Sequence, residues 1–244
     1  MEVAEVLQRV QYKKIVTGEL VDLCEMYIWT PDGGYTAKLL IDPEKMPGNT
    51  TYLDIVIQAR QREPAQRPVI SGEWHQARKI LQKTEPEVEK KMITGFIERT
   101  GTVLDYSHGR KKKKKNWYDG HVIQLPEVDE DGNFIRDEKG MLVARDIFEM
   151  ALPTKSDYVK NYPPELNPFF NAIYGEEDVM QQLPDHARFL GGCRDGERNV
   201  VCGGVDLFKN NNGPTRRRFN VDGGWQMLYS NNHVTSRVTA EMSE

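Results

Sequence analysis

The residues best suited to chemistry form one block. Arg110, Lys111, Lys112, Lys113, Lys114 and Lys115 are consecutive, and Trp117 and Tyr118 follow directly after Asn116. Cations at this density neutralise phosphates, each contact releasing a condensed counterion. Aromatic rings beside them stack on unpaired bases, at about 1–3 kcal/mol per base. The whole chain carries −4, and removing these six positive charges leaves −10. The positive charge is thus a local feature, and a local positive potential is all that a polyanion requires. The bland alternative is a solvated loop followed by two core aromatics. A second cluster, Arg216, Arg217 and Arg218, has Lys209 ahead of it and Phe219 behind it. Arginine adds bidentate phosphate recognition that lysine lacks.

Catalytic patterns are missing from the sequence. The five histidines (His75, His108, His121, His186, His233) make neither HExxH nor a zinc spacing. There is no nucleophile elbow and no glycine-rich phosphate loop. Asp119, His121, Glu127 and Asp129 offer acidic and imidazole ligands for Mg²⁺ and phosphodiester cleavage, which keeps a metal-dependent nuclease as a third reading. Residues 127–138 scan as a calcium loop, with Gly132 at the sixth place and Glu138 at the twelfth. Pro126 before it and Gly140 after it fit two acidic hairpin turns better. No catalytic residue, metal site or cofactor is expected.

Composition sets the frame for these residues. A chain of 244 residues, 38% hydrophobic and 29% charged, suits a globular protein with a real core. No run of about 18 apolar residues marks a membrane span. The first residues lack the basic and apolar regions of a secretory signal. Cys24, Cys193 and Cys202 are an odd set without a CxxC pair, as expected in a reducing, cytoplasmic setting.

The elements that must position the basic segments read as mainly β with a helical interruption. Residues 14–30 and 35–41 form strands around "PDGG" at 31–34, a turn that Pro31 and the two glycines favour. Leu53, Val56, Ile57 and Arg60 predict a helix after residue 50. A short helix follows over "GEWHQARKILQK". Thr84 and Glu87 read as a capping box for a third helix, which carries Val88, Met92 and Phe96 and stops at Gly101. Residues 117–125 read as a strand ending at Pro126, then two tight turns before a strand over "LVARDIFEMAL". Short helices are expected near 165–173 and 176–182. Strands return over "RNVVCGGVDLF" and "GWQMLYS", where glycine pairs mark bends. A polar tail is expected to fray from about residue 231.

Two segments resemble a known family. "VTGELVDLCEMYIWTPDGGYTAKLLIDPEK" (16–45) is similar to the opening strands of the phage T7-type single-stranded-DNA-binding proteins. "VVCGGVDLFKNNNGPTRRRFNVDGGWQMLYS" (200–230) is similar to their closing pair. The match covers about a quarter of the chain; the helical stretch and the lysine run lie outside it. The resemblance implies an α+β, mainly β fold: an OB-like five-stranded barrel over residues 1–230, with a helical insertion at about 45–100 and a polar tail at 231–244. It implies a non-enzymatic protein of phage DNA replication or recombination, binding single-stranded DNA or RNA and contacting other replication proteins. Carried onto this chain, the exposed aromatics and cations are Tyr27, Trp29 and Lys38, with Lys209 and Arg216 to Arg218. The alternative is a structural or assembly protein of a virus or large complex, whose lysine loop meets nucleic acid or an acidic neighbour.

Overall fold

The hairpin expected around Pro31 forms. In the computed structural model, which describes residues 21–22, 25–41, 51–61, 66–92, 97–106, 117–190, 200–206, 220–226, 234–236 and 238–241, β1 (Val21–Asp22) pairs with β4 (Leu39–Ile41). Further along, β2 (Met26–Ile28) pairs with β3 (Tyr35–Ala37). Gly33 and Gly34 both take positive φ, 109° and 84°. The turn needs glycine there, since a Cβ on Gly34 would lie 2.5 Å from the Ile28 carbonyl oxygen. Met26, Ile28, Ala37 and Leu39 point inward onto Trp74, Ala77 and Leu81.

Three helices follow. α1 (Tyr52–Arg60) starts at Thr51, whose hydroxyl accepts the Asp54 N–H while the Asp54 carboxylate accepts the Thr51 N–H. Its buried face is Tyr52, Ile55, Val56 and Ala59, one step round from the face that Leu53, Val56 and Ile57 predict. After the short strand β5 (Arg67–Pro68) comes α2 (Ser71–Thr84), which breaks at Glu85 before α3 (Pro86–Met92). Pro86 disfavours helical geometry at the preceding residue. The Thr84 hydroxyl donates back to the Ile80 carbonyl instead of capping α3.

The expectation of helix up to Gly101 is corrected: residues 97–105 are strand β6 (Ile97–Asp105). It pairs with β7 (Trp117–Pro126) on one side and β11 (Val200–Asp206) on the other. Its register against β11 shifts between Arg99 and Val103, so β6 bulges around Gly101. That bulge meets the start of α2. The Gly101 N–H donates to the Val69 carbonyl (2.8 Å), Ser71 N–H donates to the Thr102 hydroxyl (2.9 Å), and the Ser71 and Thr100 hydroxyls bond at 2.8 Å.

The large sheet runs β8 (Ala144–Pro153), β7, β6, β11, β12 (Asn220–Gln226), β10 (Arg188–Leu190), β9 (Asp157–Tyr158), with β13 (Val234–Ser236) joining β6. Most pairs are antiparallel; β10–β12 and β13–β6 are parallel. The glycine-bend expectation holds here, because the β11–β12 register slips between Cys202 and Gly204. Val103 and Ile123 pack against Tyr52 and Val56 of α1. On the other face, Leu104, Val122 and Leu152 pack against Phe169, Phe170 and Ile173 of α4 (Asn167–Tyr174). Burial on both faces explains why adjacent residues, Val103–Leu104 in β6 and Val122–Ile123 in β7, are apolar rather than alternating with polar ones.

Connectivity forces this sheet to curl. Laid flat, its edge strands β8 and β9 would stand about 29 Å apart across seven strands. Yet only four residues lead from Pro153 to Asp157, a reach of at most about 14 Å. Leu152 of β8 and Phe189 of β10 accordingly share one core with Phe169 and Phe170. No strand pairing joins β8 to β9 among the described residues, so the curled sheet is not a closed barrel.

The tail expected to fray from 231 carries two strands. β14 (Val238–Glu241) lies between β4 and β5 in a second, four-stranded sheet. Between β7 and β8, residues 127–143 make the expected double turn, with bridges Val128–Phe134 and Arg136–Leu142 and positive φ at Gly132 and Gly140.

Gly175 ties three elements together. It ends α4 at φ 68°, its N–H donates to Asn171 and its carbonyl accepts the Trp29 N–H at 3.1 Å. A Cβ there would stand 3.0 Å from the Gly72 backbone of α2. Gly175→Ala is therefore expected to destabilise by about 2 kcal/mol, left-handed strain adding to the backbone clash. Chemical denaturation checks this, and a loss below about 0.5 kcal/mol would show that the contact relaxes freely.

Candidate nucleic-acid interface

The expected contacts divide sharply by position. Arg110 to Lys115, Lys209 and Arg216 to Arg218 lie outside the described residues, but the strands that flank them are placed. The first basic segment joins the Asp105 end of β6 to Trp117 of β7. The second joins Asp206 of β11 to Asn220 of β12, and Asp206 pairs with Ile97, the opposite end of β6. The two segments are thus anchored at opposite ends of one nine-residue strand, about 25 Å apart along it.

Among the aromatics, Trp117 is corrected. It is 7% exposed and sits in the main core with Leu104 and Leu152, leaving no ring face for a base. Tyr118 is half-buried and packs edge-on to Tyr106, centroids 6.3 Å apart. Trp29 is half-buried and docks the hairpin onto Gly175 through its backbone.

Tyr27 differs. It is 52% exposed on the outward side of the hairpin, directly opposite Thr36, with Lys38 exposed two residues further on the same side. Its hydroxyl donates to the Gly33 carbonyl, which fixes the ring along the strand.

One pair escapes sequence reasoning. Tyr158 is 39% exposed, and the Arg188 guanidinium lies 4.8 Å from its ring centroid. They are 30 positions apart and meet only because β9 pairs with β10, Arg188 opposite Tyr158. Phe189 pairs with Val221, so this cation-capped tyrosine lies at the end of the sheet where the segment carrying Arg216 to Arg218 leads into β12. Lys155 and Lys160 are exposed nearby in sequence, Lys160 paired with Asp185 at 3.2 Å.

The acidic region 119–138 is organised by its own turns. The Asp129 carboxylate accepts the Asn133 backbone N–H at 2.7 Å, which holds it below the usual carboxylate range. Among the described residues no three His, Cys, Asp or Glu side chains gather as a metal site, and no helix is long and apolar enough to cross a membrane.

No protein-family model matches the chain, and neither a curated protein nor a solved structure matches it significantly.

Proposed function

We propose that this protein binds single-stranded nucleic acid without sequence preference, as a non-enzymatic factor of phage DNA replication or recombination in the host cytoplasm. The observation that carries this reading is the exposed Tyr158 ring capped by Arg188, a cation–aromatic platform open to a base. Tyr27 supplies a second exposed ring, with Lys38 beside it. Of the three large hydrophobic side chains exposed among the described residues, two are these tyrosines. The basic run at 110–115 and the cluster at 216–218 supply phosphate neutralisation. The curled sheet with its glycine slip supports an OB-like, partly open barrel. Its greater strand number and two covered faces move the contact surface from the sheet face to the edge and the hairpin.

The test is fluorescence anisotropy with a labelled single strand of about 30 nucleotides and its duplex, at two salt concentrations. Tyr27→Ala and Tyr158→Ala are each expected to weaken single-strand binding by about 5- to 100-fold. Serines at Lys111 to Lys115 will reduce the salt slope by up to about 3.5, at roughly 0.7 per lost contact. Absence of binding at low salt would overturn the reading.

A second reading rests on the outer edge of β8. Its ten residues pair only with β7 among the described residues, and Ile147 on it is 40% exposed. Such an edge can add a strand from another chain in an assembly. Concentration-dependent oligomers without nucleic-acid binding would favour it.

A further inference from the structure

The free edge of β8 carries side chains that match a second copy of themselves. Residues 146–150 make backbone bonds only to β7 among the described residues. Residues 144–150 contain none of the proline, glycine or lysine that commonly blunts a sheet edge. Arg145, Ile147 and Glu149 alternate along one side of the strand, and all three are exposed. Glu149, opposite His121 within its own sheet, has no ion-pair partner among the described residues. The Arg145 guanidinium is already oriented. It donates to the Asp146 carboxylate at 2.9 Å and to the Tyr35 hydroxyl at 3.1 Å, and lies 5.4 Å from the centroid of that ring.

We propose that two copies of this chain pair antiparallel through β8, about a twofold axis at Ile147, joining their large sheets into one. The proposal rests on the reading of the β8 edge as a strand-adding surface and names its occupant. In this register Ile147 meets its own counterpart, and Arg145 meets Glu149 twice, once in each direction. Residues directly opposite share a face, where opposite charges stabilise the pairing and like charges oppose it. Neighbouring registers lose this match. An axis at Asp146 sets that carboxylate against itself, and one at Phe148 sets Ile147 against Glu149. An axis between Ile147 and Phe148 sets Asp146 against Glu149. The charges thus admit one self-pairing and penalise the slipped ones. A foreign strand would require no such symmetry. Seven residues from each copy make a contact below the roughly 1,200 Å² of stable interfaces, so the dimer is weak and concentration-dependent.

Sedimentation of the full chain over a concentration series reaching the millimolar range is expected to show a monomer–dimer equilibrium. Glu149→Arg makes both charge pairs repulsive, and Ile147→Lys sets two cations together at the axis. Each is expected to weaken dimerisation about tenfold or more, with the melting temperature of the monomer little changed. Ile147→Cys reads the register directly. Opposed Cα atoms stand about 4.5–5.5 Å apart, within disulfide range, so this variant will crosslink with copper–phenanthroline as the oxidant. Glu149→Cys would lie about 14 Å from its counterpart and will not crosslink. The wild-type chain, with Cys24, Cys193 and Cys202, gives the background. A monomer at every concentration would overturn the self-pairing and leave the β8 edge to a foreign strand. Oligomers that persist in Glu149→Arg and Ile147→Lys, with Ile147→Cys unlinked, would overturn it and move the assembly surface elsewhere. Crosslinking of Glu149→Cys as efficient as that of Ile147→Cys would overturn the register. The wild-type concentration series is independent of how any variant folds.

Discussion

Glu73→Ala is expected to lower the unfolding free energy by about 3–5 kcal/mol, the usual cost of removing one partner of a buried ion pair. Glu73 is fully buried in the first turn of α2, where the positive end of the helix already favours a carboxylate. Arg67 grips it with both arms, Nη2 to Oε1 at 2.7 Å and Nη1 to Oε2 at 2.9 Å. The Ile70 N–H donates to Oε2 at 3.2 Å, the Tyr35 hydroxyl donates to Oε1 at 3.1 Å, and Arg145 donates to Tyr35 at 3.1 Å. Burial alone would raise the carboxyl pKa; Arg67, with Arg145 and the Ile70 N–H, outweighs it and holds the group below the usual range. Removing the carboxylate takes away the acceptor of the Arg67 guanidinium, the Tyr35 phenol and the Ile70 N–H, and the network spans β3, β5, α2 and β8. Glu73→Gln keeps the shape but not the charge and should fall between wild type and alanine. Urea titrations measure the series, and a loss under about 1 kcal/mol for alanine would mean that water replaces the carboxylate at little cost.

The second large effect is a pH dependence that His75 alone creates. Burial, reinforced by Arg78 and Lys79, holds its pKa down at about 3, against an ordinary 6.5. The unfolded chain therefore binds the proton first, and stability present above pH 6.5 falls as the pH drops toward 3. At 1.36 kcal/mol per pKa unit, the contribution lost between pH 7.5 and pH 4 is about 3 kcal/mol. Glu73 acts lower, below the ordinary carboxylate pKa, because its folded pKa is depressed and its stabilisation disappears only as it protonates. Comparing wild type with His75→Phe at both pH values isolates the histidine, since every other titrating group cancels in the difference. Parallel pH profiles for the two proteins would show that His75 titrates freely in the folded state.

How much of this was legible in the sequence depended on whether local chemistry or register decided the outcome. The hairpin was readable because Pro31, Gly33 and Gly34 specify the turn by their own backbone preferences. α1 was readable in existence but not in orientation, since apolar residues at 52, 53, 55, 56 and 57 spread over about 200° of its circumference, wider than one buried stripe. Its periodicity does not choose a face, and packing on Val103 and Ile123 does. β6 was lost to a helical pattern because a short apolar run fits either state, and pairing on both sides resolves it as strand. The basic segments were legible as composition, but their anchorage at opposite ends of β6 follows only from strand order. Trp117 and Tyr158 are both aromatics in strands, and nothing local distinguishes the buried one from the exposed one. The Tyr158–Arg188 pair is a product of tertiary contact, without a motif to announce it.

The placement of β14 has a consequence for the order in which the molecule assembles. Thr239 pairs with Ile41 across about 200 residues of sequence, so this pairing raises the contact order and slows folding. On the ribosome the hairpin emerges early, together with the unpaired edge of β4 that β14 will later occupy. That edge stays open while the large sheet and its helices are still being made. Closure of the second sheet is then among the final steps, and until it occurs the nascent chain presents a bare strand edge to chaperones or to its own copies.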